Sequence, residues 1–213
     1  MRELLRLFKN YYPPDWWRLL RDIVLSKVLF PPQIRLVRQP AYIVGKKYIE
    51  FGRNFNAGPN LRLEVLDSSF VRHEVQEVTS PPKLIIGDNV NLNFNVHIGV
   101  LKNIELGDNV LIASNVLIID HNHGYYRGEE QDSPLTAPKD RKSVADSVYV
   151  GKNCWIGENV SILPGTKIGE GCIVGANSVV SGVFENYQII GGAPARPLKK
   201  YDFLTNKWLP IVD

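Results

Sequence analysis

The segment Ile119-Asp120-His121-Asn122-His123-Gly124 contains two of the four histidines of this 213-residue chain. Histidine ionises near neutral pH, so its ring can accept or release a proton during a reaction, and it can also bind a metal ion. Two histidines that are two residues apart face the same side of an extended segment. The pair is therefore compatible with a proton-transfer site, a metal site or a polar turn.

The sequence on both sides of this segment repeats with a period of six residues. A repeat of six is typical of a short strand followed by a tight turn, with one aliphatic side chain per strand pointing into a shared core. Three such sides form a coil of about 18 residues, and coils stack about 4.8 Å apart as paired strands do. The inward residues predicted from the repeat are Phe51, Ala57, Leu63, Ile86, Leu92, Ile98, Leu106, Ile112, Ile118, Val150, Ile156, Ile162, Ile168, Val174 and Val180.

The two cysteines provide a check on this repeat. Cys154 and Cys172 are one coil apart in sequence, so we expect them to occupy equivalent positions in adjacent coils. We interpret them as a stacked pair, with a disulfide or a metal site as the alternatives. Two thiols alone are too few ligands for a structural zinc ion.

The repeat divides the chain into three regions. Residues 1–40 are predicted to form a basic helical cap, residues 41–182 an all-β solenoid, and residues 183–213 a tail with a short C-terminal helix. Residues 67–83 interrupt the repeat, and a polar excursion at 124–146 begins directly after the two histidines. Long structureless loops inside compact repeats are usually functional or disordered, and this position favours function.

The cap is predicted to begin at Pro13-Pro14 with Asp15 as its N-cap and to end before Pro31. The helix either closes the open end of the solenoid or lies on an anionic membrane surface, and the two roles are compatible. Residues 1–40 carry eight Lys and Arg against three acids, a net charge of +5. The apolar stripe at helical spacing consists of Trp16, Leu19, Leu20, Ile23, Val24 and Val28.

Composition excludes several classes of protein. With 44% hydrophobic and 22% charged residues, the chain has the composition of a folded globular protein. It contains no apolar run of the length that spans a bilayer and no signal-peptide pattern, so we expect a cytoplasmic location. The basic excess is confined to a short helical arm, which argues against a nucleic-acid-binding surface.

The repeat, the histidine-bearing excursion and the segment IIGGAPARPLKKYDF together resemble the hexapeptide-repeat acyltransferases, in particular the galactoside, maltose and polysaccharide O-acetyltransferase branch. The segments NVLIASNVLIIDHNHG, WIGENVSILPG and KKYDF are most similar to O-acetyltransferases of O-antigen and capsule (lipopolysaccharide) biosynthesis. The resemblance covers nearly the whole chain. It implies a left-handed parallel β-helix, assembly as a homotrimer, and acetyl-CoA as the acyl donor, bound between neighbouring subunits.

The resemblance also implies roles for the histidine segment. His121 matches the catalytic histidine of the family, which acts as general base toward the acceptor hydroxyl. Asp120 either orients the His121 ring or contacts the substrate, and a backbone carbonyl is an alternative orienting group. His123 is expected to position the acceptor or to exchange roles with His121.

Four residues match the part of the family that binds coenzyme A. Ala176 and Ser181 lie where the family contacts the pantetheine arm with backbone groups. Arg196 matches a phosphate-binding arginine and Lys199 a second basic position, with a solvated basic tail as the alternative interpretation. Gly182 departs from the family, which often has lysine there.

The acceptor side of the site matches the family only in part. Asn93 matches an asparagine that contacts the sugar, and Trp155 is expected to border the cleft. Leu101 stands where the family has an acid. His73 and His97 are expected at the surface or at an interface, and the histidine spacing does not match the three-histidine zinc sites of hexapeptide-fold carbonic anhydrases, so we expect no metal.

These observations predict an acetyl-CoA-dependent O-acetyltransferase that acts on a sugar hydroxyl of a cell-surface polysaccharide precursor. The basic helix is expected to hold the protein at the inner face of the membrane, near a lipid-linked substrate. Two alternatives remain open from the sequence: an N-acyltransferase that acts on an amino sugar, and a non-catalytic hexapeptide scaffold.

Overall fold

The computed structural model describes residues 12–67, 75–76 and 80–211. The described chain begins with one α-helix, α1 (Pro13–Leu29), and continues as short strands that wind around a common core. Three parallel sheets form the sides of this solenoid, and each turn of the chain contributes one strand to each sheet. The predicted stacked coil is confirmed.

The strands, numbered in chain order, follow one another along the solenoid within each sheet. The first sheet consists of β1 (Leu36–Val37), β4 (Asn56–Ala57), β8 (Asn91–Leu92), β11 (Leu111–Ile112), β16 (Trp155–Ile156), β19 (Ile173–Val174) and β22 (Gln188–Gly192), extended by the antiparallel strands β23 (Ala195–Asp202) and β24 (Lys207–Pro210). The second sheet consists of β2 (Ala41–Val44), β5 (Leu61–Val65), β9 (His97–Val100), β12 (Leu117–Ile119), β17 (Ser161–Ile162) and β20 (Val179–Val180). The third sheet consists of β3 (Ile49–Phe51), β7 (Lys83–Ile86), β10 (Asn103–Leu106), β15 (Val148–Val150), β18 (Lys167–Ile168) and β21 (Val183–Phe184).

The core consists of the residues that the period of six predicts. All the predicted inward residues are buried except Phe51, which is half-buried and packs against the core. Strand register confirms the stacking, since Leu63 pairs with Ile98 and Ile98 with Ile118 in neighbouring strands of the second sheet. Cys154 and Cys172 are both buried and free, each immediately before a paired strand of adjacent coils, as expected for a stacked pair.

Asparagine residues form the corners of the coils. Asn54, Asn89, Asn109 and Asn153 all adopt positive φ angles of 57–59°, a conformation that asparagine tolerates better than most residues. Their side chains are linked in a ladder from coil to coil by hydrogen bonds of 3.0, 3.1 and 3.0 Å. This ladder satisfies the amide groups at one edge of the solenoid.

The α1 helix contacts the solenoid through a different face from the predicted apolar stripe. Of the predicted stripe only Leu19 is fully buried, and the other buried residues of the helix are Asp22 and Ser26. Ser26 Oγ accepts a hydrogen bond of 2.8 Å from the backbone N–H of Val37 in β1, and Asp22 accepts one of 2.6 Å from Arg38. Polar contacts therefore fix the helix on the first coil.

The predicted N-cap is wrong. The N-cap is Tyr12, and Pro13 and Pro14 occupy the first two helical positions, where a missing N–H costs nothing. Asp15 lies in the first turn instead, with its carboxylate 3.0 Å from Arg18.

The predicted C-terminal helix is also wrong. β21 and β22 continue the stack beyond residue 182, and β23 then folds back antiparallel to β22, followed by β24. The open edge of β22 needs backbone hydrogen-bond partners, and β23 supplies them. Rings of Tyr201, Phe203 and Trp208 pack edge-to-face about 5 Å apart and stabilise the hairpin.

The excursion after the histidines is anchored at both ends. The strand directly before it, β13 (His121–His123), pairs antiparallel with β14 (Ser143–Ala145) at its end, and β14 pairs in parallel with β6 (Val75–Gln76). The excursion is therefore not structureless, and it contacts the earlier interruption of the repeat. His73 and most of that earlier interruption lie outside the described residues.

Candidate active site

His121 follows β12 at the edge of the second sheet, where the chain leaves the solenoid for the excursion. The preceding residue, Asp120, is fully buried and accepts three hydrogen bonds. Two come from the backbone N–H groups of Leu101 and Lys102, both at 2.8 Å, and the third from Nδ1 of His121 at 3.0 Å. An ionised carboxylate only accepts hydrogen bonds, so Nδ1 carries the proton and Nε2 presents a lone pair.

This geometry assigns Asp120 to one of its two expected roles. The buried carboxylate orients the His121 ring, as the sequence suggested. The other expected role, direct contact with the substrate, is wrong because Asp120 has no exposed surface. His123 is exposed, and its ring centre lies 6.5 Å from that of His121, so both imidazoles border the same space as expected.

A buried glycine, Gly99, lies beside the His121 ring. A Cβ atom on Gly99 would lie 3.3 Å from Cε1 of His121, 3.4 Å from Cγ2 of Ile119 and 3.7 Å from Nε2 of His97. Its contact with the His121 ring would be tighter than most real Cβ contacts. The absence of a side chain at Gly99 therefore leaves room for the position that His121 adopts.

His97, which was expected at a surface or interface, belongs to a polar cluster beside Gly99. Its Nε2 lies 2.9 Å from Oε2 of Glu64, which also forms an ion pair with Arg62. Burial lowers the pKa of His97, and its hydrogen bond with Glu64 opposes this effect without reversing it. Burial opposes ionisation of Glu64, but hydrogen bonds from Arg62 and His97 hold its pKa below the usual range.

The sequence contains a signal for this cluster in the spacing of the repeat. Leu63, Ile98 and Ile118 are each predicted to point inward, so the residue that follows each of them is expected to point outward. Those residues are Glu64, Gly99 and Ile119, and the structure pairs them in this order.

Asn93 and Trp155 lie away from His121 within one chain. Asn93 is exposed at the corner between β8 and β9, the opposite edge of the second sheet from His121. Trp155 is on β16 of the first sheet, with 51% of its surface exposed. A single subunit therefore does not bring these two acceptor candidates to the histidine.

The residues that resemble coenzyme A ligands are all exposed but fall into separate groups. Ala176 lies at the corner between β19 and β20, and Ser181 follows β20 at the same sheet edge as His121, two strands further along. Arg196 and Lys199 project from β23. The neighbouring Lys200 is engaged in an ion pair of 2.7 Å with Glu185.

No group of three or more histidine, cysteine, aspartate or glutamate side chains within residues 12–67 and 80–211 is arranged to hold a metal ion. In the same part of the chain, no helix is long and apolar enough to cross a bilayer.

Comparison with known proteins decides the family. A family model described as bacterial transferase hexapeptide (six repeats) matches residues 147–182. Over 206 residues, the chain is 38% identical to the Escherichia coli K12 protein assigned as lipopolysaccharide biosynthesis O-acetyl transferase WbbJ, covering 96% of this chain and 98% of that protein. The chain belongs to the hexapeptide-repeat acetyltransferases.

Two further similarities agree with this placement. Over 120 residues the chain is 32% identical to the galactoside O-acetyltransferase of Escherichia coli K12, covering 54% of this chain and 53% of that protein. The structure of a mutant of AntD, an N-acyltransferase from Bacillus cereus, solved with dTDP and coenzyme A, superposes with a TM-score of 0.59 at 22% identity. That superposition covers 80% of this chain and 82% of AntD, and it shows a shared fold. The solenoid of this enzyme is thus the left-handed parallel β-helix of the family.

Proposed function

We propose that this enzyme transfers an acetyl group from acetyl-CoA to a saccharide hydroxyl, with His121 as the general base. The observation that supports this role is the hydrogen bond from Nδ1 of His121 to the buried Asp120, which directs the basic Nε2 away from the carboxylate. A general base placed in this way contributes typically about 10²- to 10⁴-fold to a reaction rate.

The reaction requires one proton to move twice. Nε2 of His121 accepts the proton of the acceptor hydroxyl while the hydroxyl oxygen attacks the thioester carbonyl carbon. The tetrahedral intermediate then expels the coenzyme A sulfur, which takes the proton from the imidazolium and leaves as a thiol. The sugar ester and free coenzyme A are the products, and His121 returns to its starting state.

The donor site that we propose combines the exposed basic residues of β23 with the two small residues at the coil corners. Arg196 and Lys199 are proposed to bind the phosphates of coenzyme A, since guanidinium and ammonium groups both suit phosphate oxygens. Backbone groups at Ala176 and Ser181 are proposed to bind the pantetheine arm. Both residues have exposed positions from which they can contact a ligand.

A homotrimer accounts for the separation of the candidate residues. Leu111, Trp155, Ile173 and Ile189 pair in register along the outward face of the first sheet and form an apolar column on the surface of one subunit. We propose that this column packs against a second copy of the chain. Asn93 and Trp155 of one subunit would then reach the His121 edge of its neighbour, which completes the acceptor cleft.

The acceptor that we propose is a precursor of a cell-surface polysaccharide. This rests on the Escherichia coli relative assigned to lipopolysaccharide biosynthesis, which aligns with almost the entire chain. Leu101, which stands where the family carries an acid, indicates that the acceptor differs from a simple galactoside or maltose.

We further propose that α1 holds the enzyme at an anionic membrane surface. The face of the helix opposite its contact with β1 carries Trp17, Leu20, Val24 and Val28, all exposed. Lysine and arginine flank this face and suit anionic headgroups. The location would place the active site near a lipid-linked acceptor.

The experiment that tests the proposed reaction measures thiol release from acetyl-CoA with the purified enzyme and with His121→Ala. The acceptor panel contains neutral saccharides and their amino-sugar counterparts. Release that depends on a hydroxyl acceptor and disappears in the variant supports O-acetyl transfer, while release with amino sugars alone supports the N-acyltransferase alternative. A protein that neither releases thiol nor binds coenzyme A would act as a scaffold, and the proposal would be wrong.

A further inference from the structure

A second carboxylate–imidazole pair lies beside the Asp120–His121 pair. Glu64 on β5 and His97 on β9 are joined by a hydrogen bond of 2.9 Å. Gly99 lies between the two pairs, because it pairs with Glu64 on one side and its missing Cβ faces the His121 ring on the other. Neighbouring strands are about 4.8 Å apart, so Glu64 lies one strand from Gly99, and the His97 ring reaches from Glu64 to within 3.7 Å of the Cβ position of Gly99.

We propose that Glu64 is the specificity-determining residue for the acceptor, binding hydroxyls adjacent to the one that reacts, and that Arg62 and His97 are its positioning residues. This inference deepens the proposed function and rests on it. The acceptor would lie against the partly exposed rings of His97 and His121, which cover Gly99, with its reacting hydroxyl at Nε2 of His121 and its neighbouring hydroxyl at the Glu64 carboxylate.

The hydrogen bonds of Glu64 leave it able to bind an acceptor. One Arg62 nitrogen contacts both carboxylate oxygens, at 2.9 and 2.8 Å, and His97 donates to Oε2 alone. Within the part of the chain that the structure describes, Oε1 accepts only from Arg62 and retains lone-pair capacity for a hydroxyl donor. The side chain is 18% exposed, so it is held in place yet open to a ligand.

The position of Glu64 compensates for the apolar residue at 101. Saccharide hydroxyls are bound by groups that accept hydrogen bonds, and a charged acceptor forms the stronger bond. Leu101 is almost fully buried and offers no such group at the surface. Glu64 supplies a partly exposed carboxylate on the other side of the buried Gly99 instead, and the His97 ring connects the two sides, since its Nε2 lies 2.9 Å from Glu64 and 3.7 Å from the Cβ position of Gly99.

A merely structural ion pair would have different consequences. Partly exposed ion pairs contribute little to stability, so the loss of the Glu64 charge would leave the fold intact in either case. If Glu64 binds the acceptor, loss of its charge is expected to change the KM for the acceptor and to leave the KM for acetyl-CoA unchanged. The kinetic constants for the two substrates therefore separate the two roles.

The test compares Glu64→Gln with Glu50→Gln, which removes a similar outward carboxylate, paired with Lys83 at 2.9 Å on the third sheet. With an acceptor from the panel, Glu64→Gln is expected to raise the KM for the acceptor by about 10- to 100-fold, because hydrogen bonds to charged groups are the stronger class. The kcat at saturation and the KM for acetyl-CoA stay within about two-fold of wild type, and Glu50→Gln changes none of these constants.

Variants of His97 test its positioning role. His97→Gln retains an N–H donor near the position of Nε2 and is expected to keep most of the acceptor affinity, whereas His97→Leu removes the donor and raises the acceptor KM. Binding is also measured without turnover, by saturation-transfer NMR of the acceptor with His121→Ala protein. Adding Glu64→Gln to His121→Ala is expected to abolish the signal.

Two results would overturn this inference. The first leaves the proposed function intact, and the second overturns the proposed function as well. An active enzyme in which Glu64→Gln has the wild-type acceptor KM and binding signal defeats the role of Glu64 and leaves the proposed function intact. A wild-type enzyme that neither acetylates nor binds any saccharide defeats the proposed function and this inference together.

Discussion

Asp120 Oδ1 lies 3.0 Å from Nδ1 of His121, and the same carboxylate accepts the backbone N–H groups of Leu101 and Lys102. The His121 ring is thus tied to the neighbouring coil of the β-helix, although His121 itself lies just before the excursion. The proposed base therefore lies next to the excursion, while the orientation of its ring is set by a residue that is hydrogen-bonded to the solenoid.

Asp120→Asn is expected to lower kcat by about 10²-fold or more. The amide has one accepting oxygen and one donating nitrogen, so it cannot accept all three hydrogen bonds, and the His121 tautomer is no longer fixed. A buried donor left without a partner also costs about 1–3 kcal/mol of stability. Steady-state kinetics and thermal unfolding measure the two effects, and a variant with wild-type kcat would show that Asp120 does not orient the base.

Gly99→Ala is expected to lower kcat by about 10-fold with little loss of stability. The new methyl group would lie 3.3 Å from Cε1 of His121, so the ring must move by a few tenths of an ångström. Small misplacements of catalytic groups have large effects on rate. The melting temperature and coenzyme A affinity serve as controls for the fold, and an unchanged kcat would mean that the ring tolerates the shift.

Arg196→Ala is expected to weaken coenzyme A binding by about 10-fold and to reduce its dependence on salt, because a charged contact with phosphate is removed. Lys207→Ala is the matched control, since Lys207 is an exposed cation on the same hairpin. Calorimetric titrations at two salt concentrations give both quantities. Equal affinities for the two variants would support the alternative that Arg196 belongs to a solvated basic tail.

The double variant Trp17→Ser/Val28→Ser is expected to abolish co-flotation of the enzyme with anionic lipid vesicles while leaving thiol release in solution unchanged. Both side chains point away from the solenoid, with 78% and 74% of their surface exposed. Leu204→Ser removes a comparably exposed apolar residue from the C-terminal hairpin and should float as wild type does. Undiminished flotation of the double variant would rule out the helix as the membrane contact.

The period of six made much of this architecture predictable. Inward residues such as Ile98 and Ile118 follow from spacing alone, because each coil has to bury one aliphatic side chain per strand. The candidate site at His121 is what the resemblance to the hexapeptide-repeat acyltransferases implies, and it lies where the repeat stops and a polar excursion begins. The histidine pair and the end of the six-residue repeat therefore lie at the same place in the sequence.

Other features depend on contacts that spacing does not encode. The period of six indicates that Glu64 and Gly99 both point outward, but the interruption between them removes the regular interval that would have shown that they pair in adjacent coils. Asp120 is followed by polar residues and yet lies fully inside, because two backbone N–H groups of the previous coil need an acceptor. The C-terminal hairpin likewise forms because the last coil leaves an unpaired strand edge.

The stability of the enzyme is expected to fall as the pH drops from 7.5 to 5.5, in part through His97. Burial lowers the pKa of His97 in the folded state, with its hydrogen bond to Glu64 opposing this effect, while in the unfolded chain the pKa is near the ordinary 6.5. The unfolded state therefore binds the proton first, and the stability that is present above pH 6.5 is lost as the pH falls toward the folded pKa.

His97→Gln removes this contribution, so its unfolding free energy should fall less than that of wild type over the same interval. The difference in slope is at most about 1.4 kcal/mol per pH unit, the limit for one group. The window stays above the range in which Glu64 titrates, because the pKa of Glu64 is lowered from 4.5. Urea unfolding at pH 7.5, 6.5 and 5.5 measures the slopes, and parallel lines for the two proteins would show that His97 is not held in its neutral form by the fold.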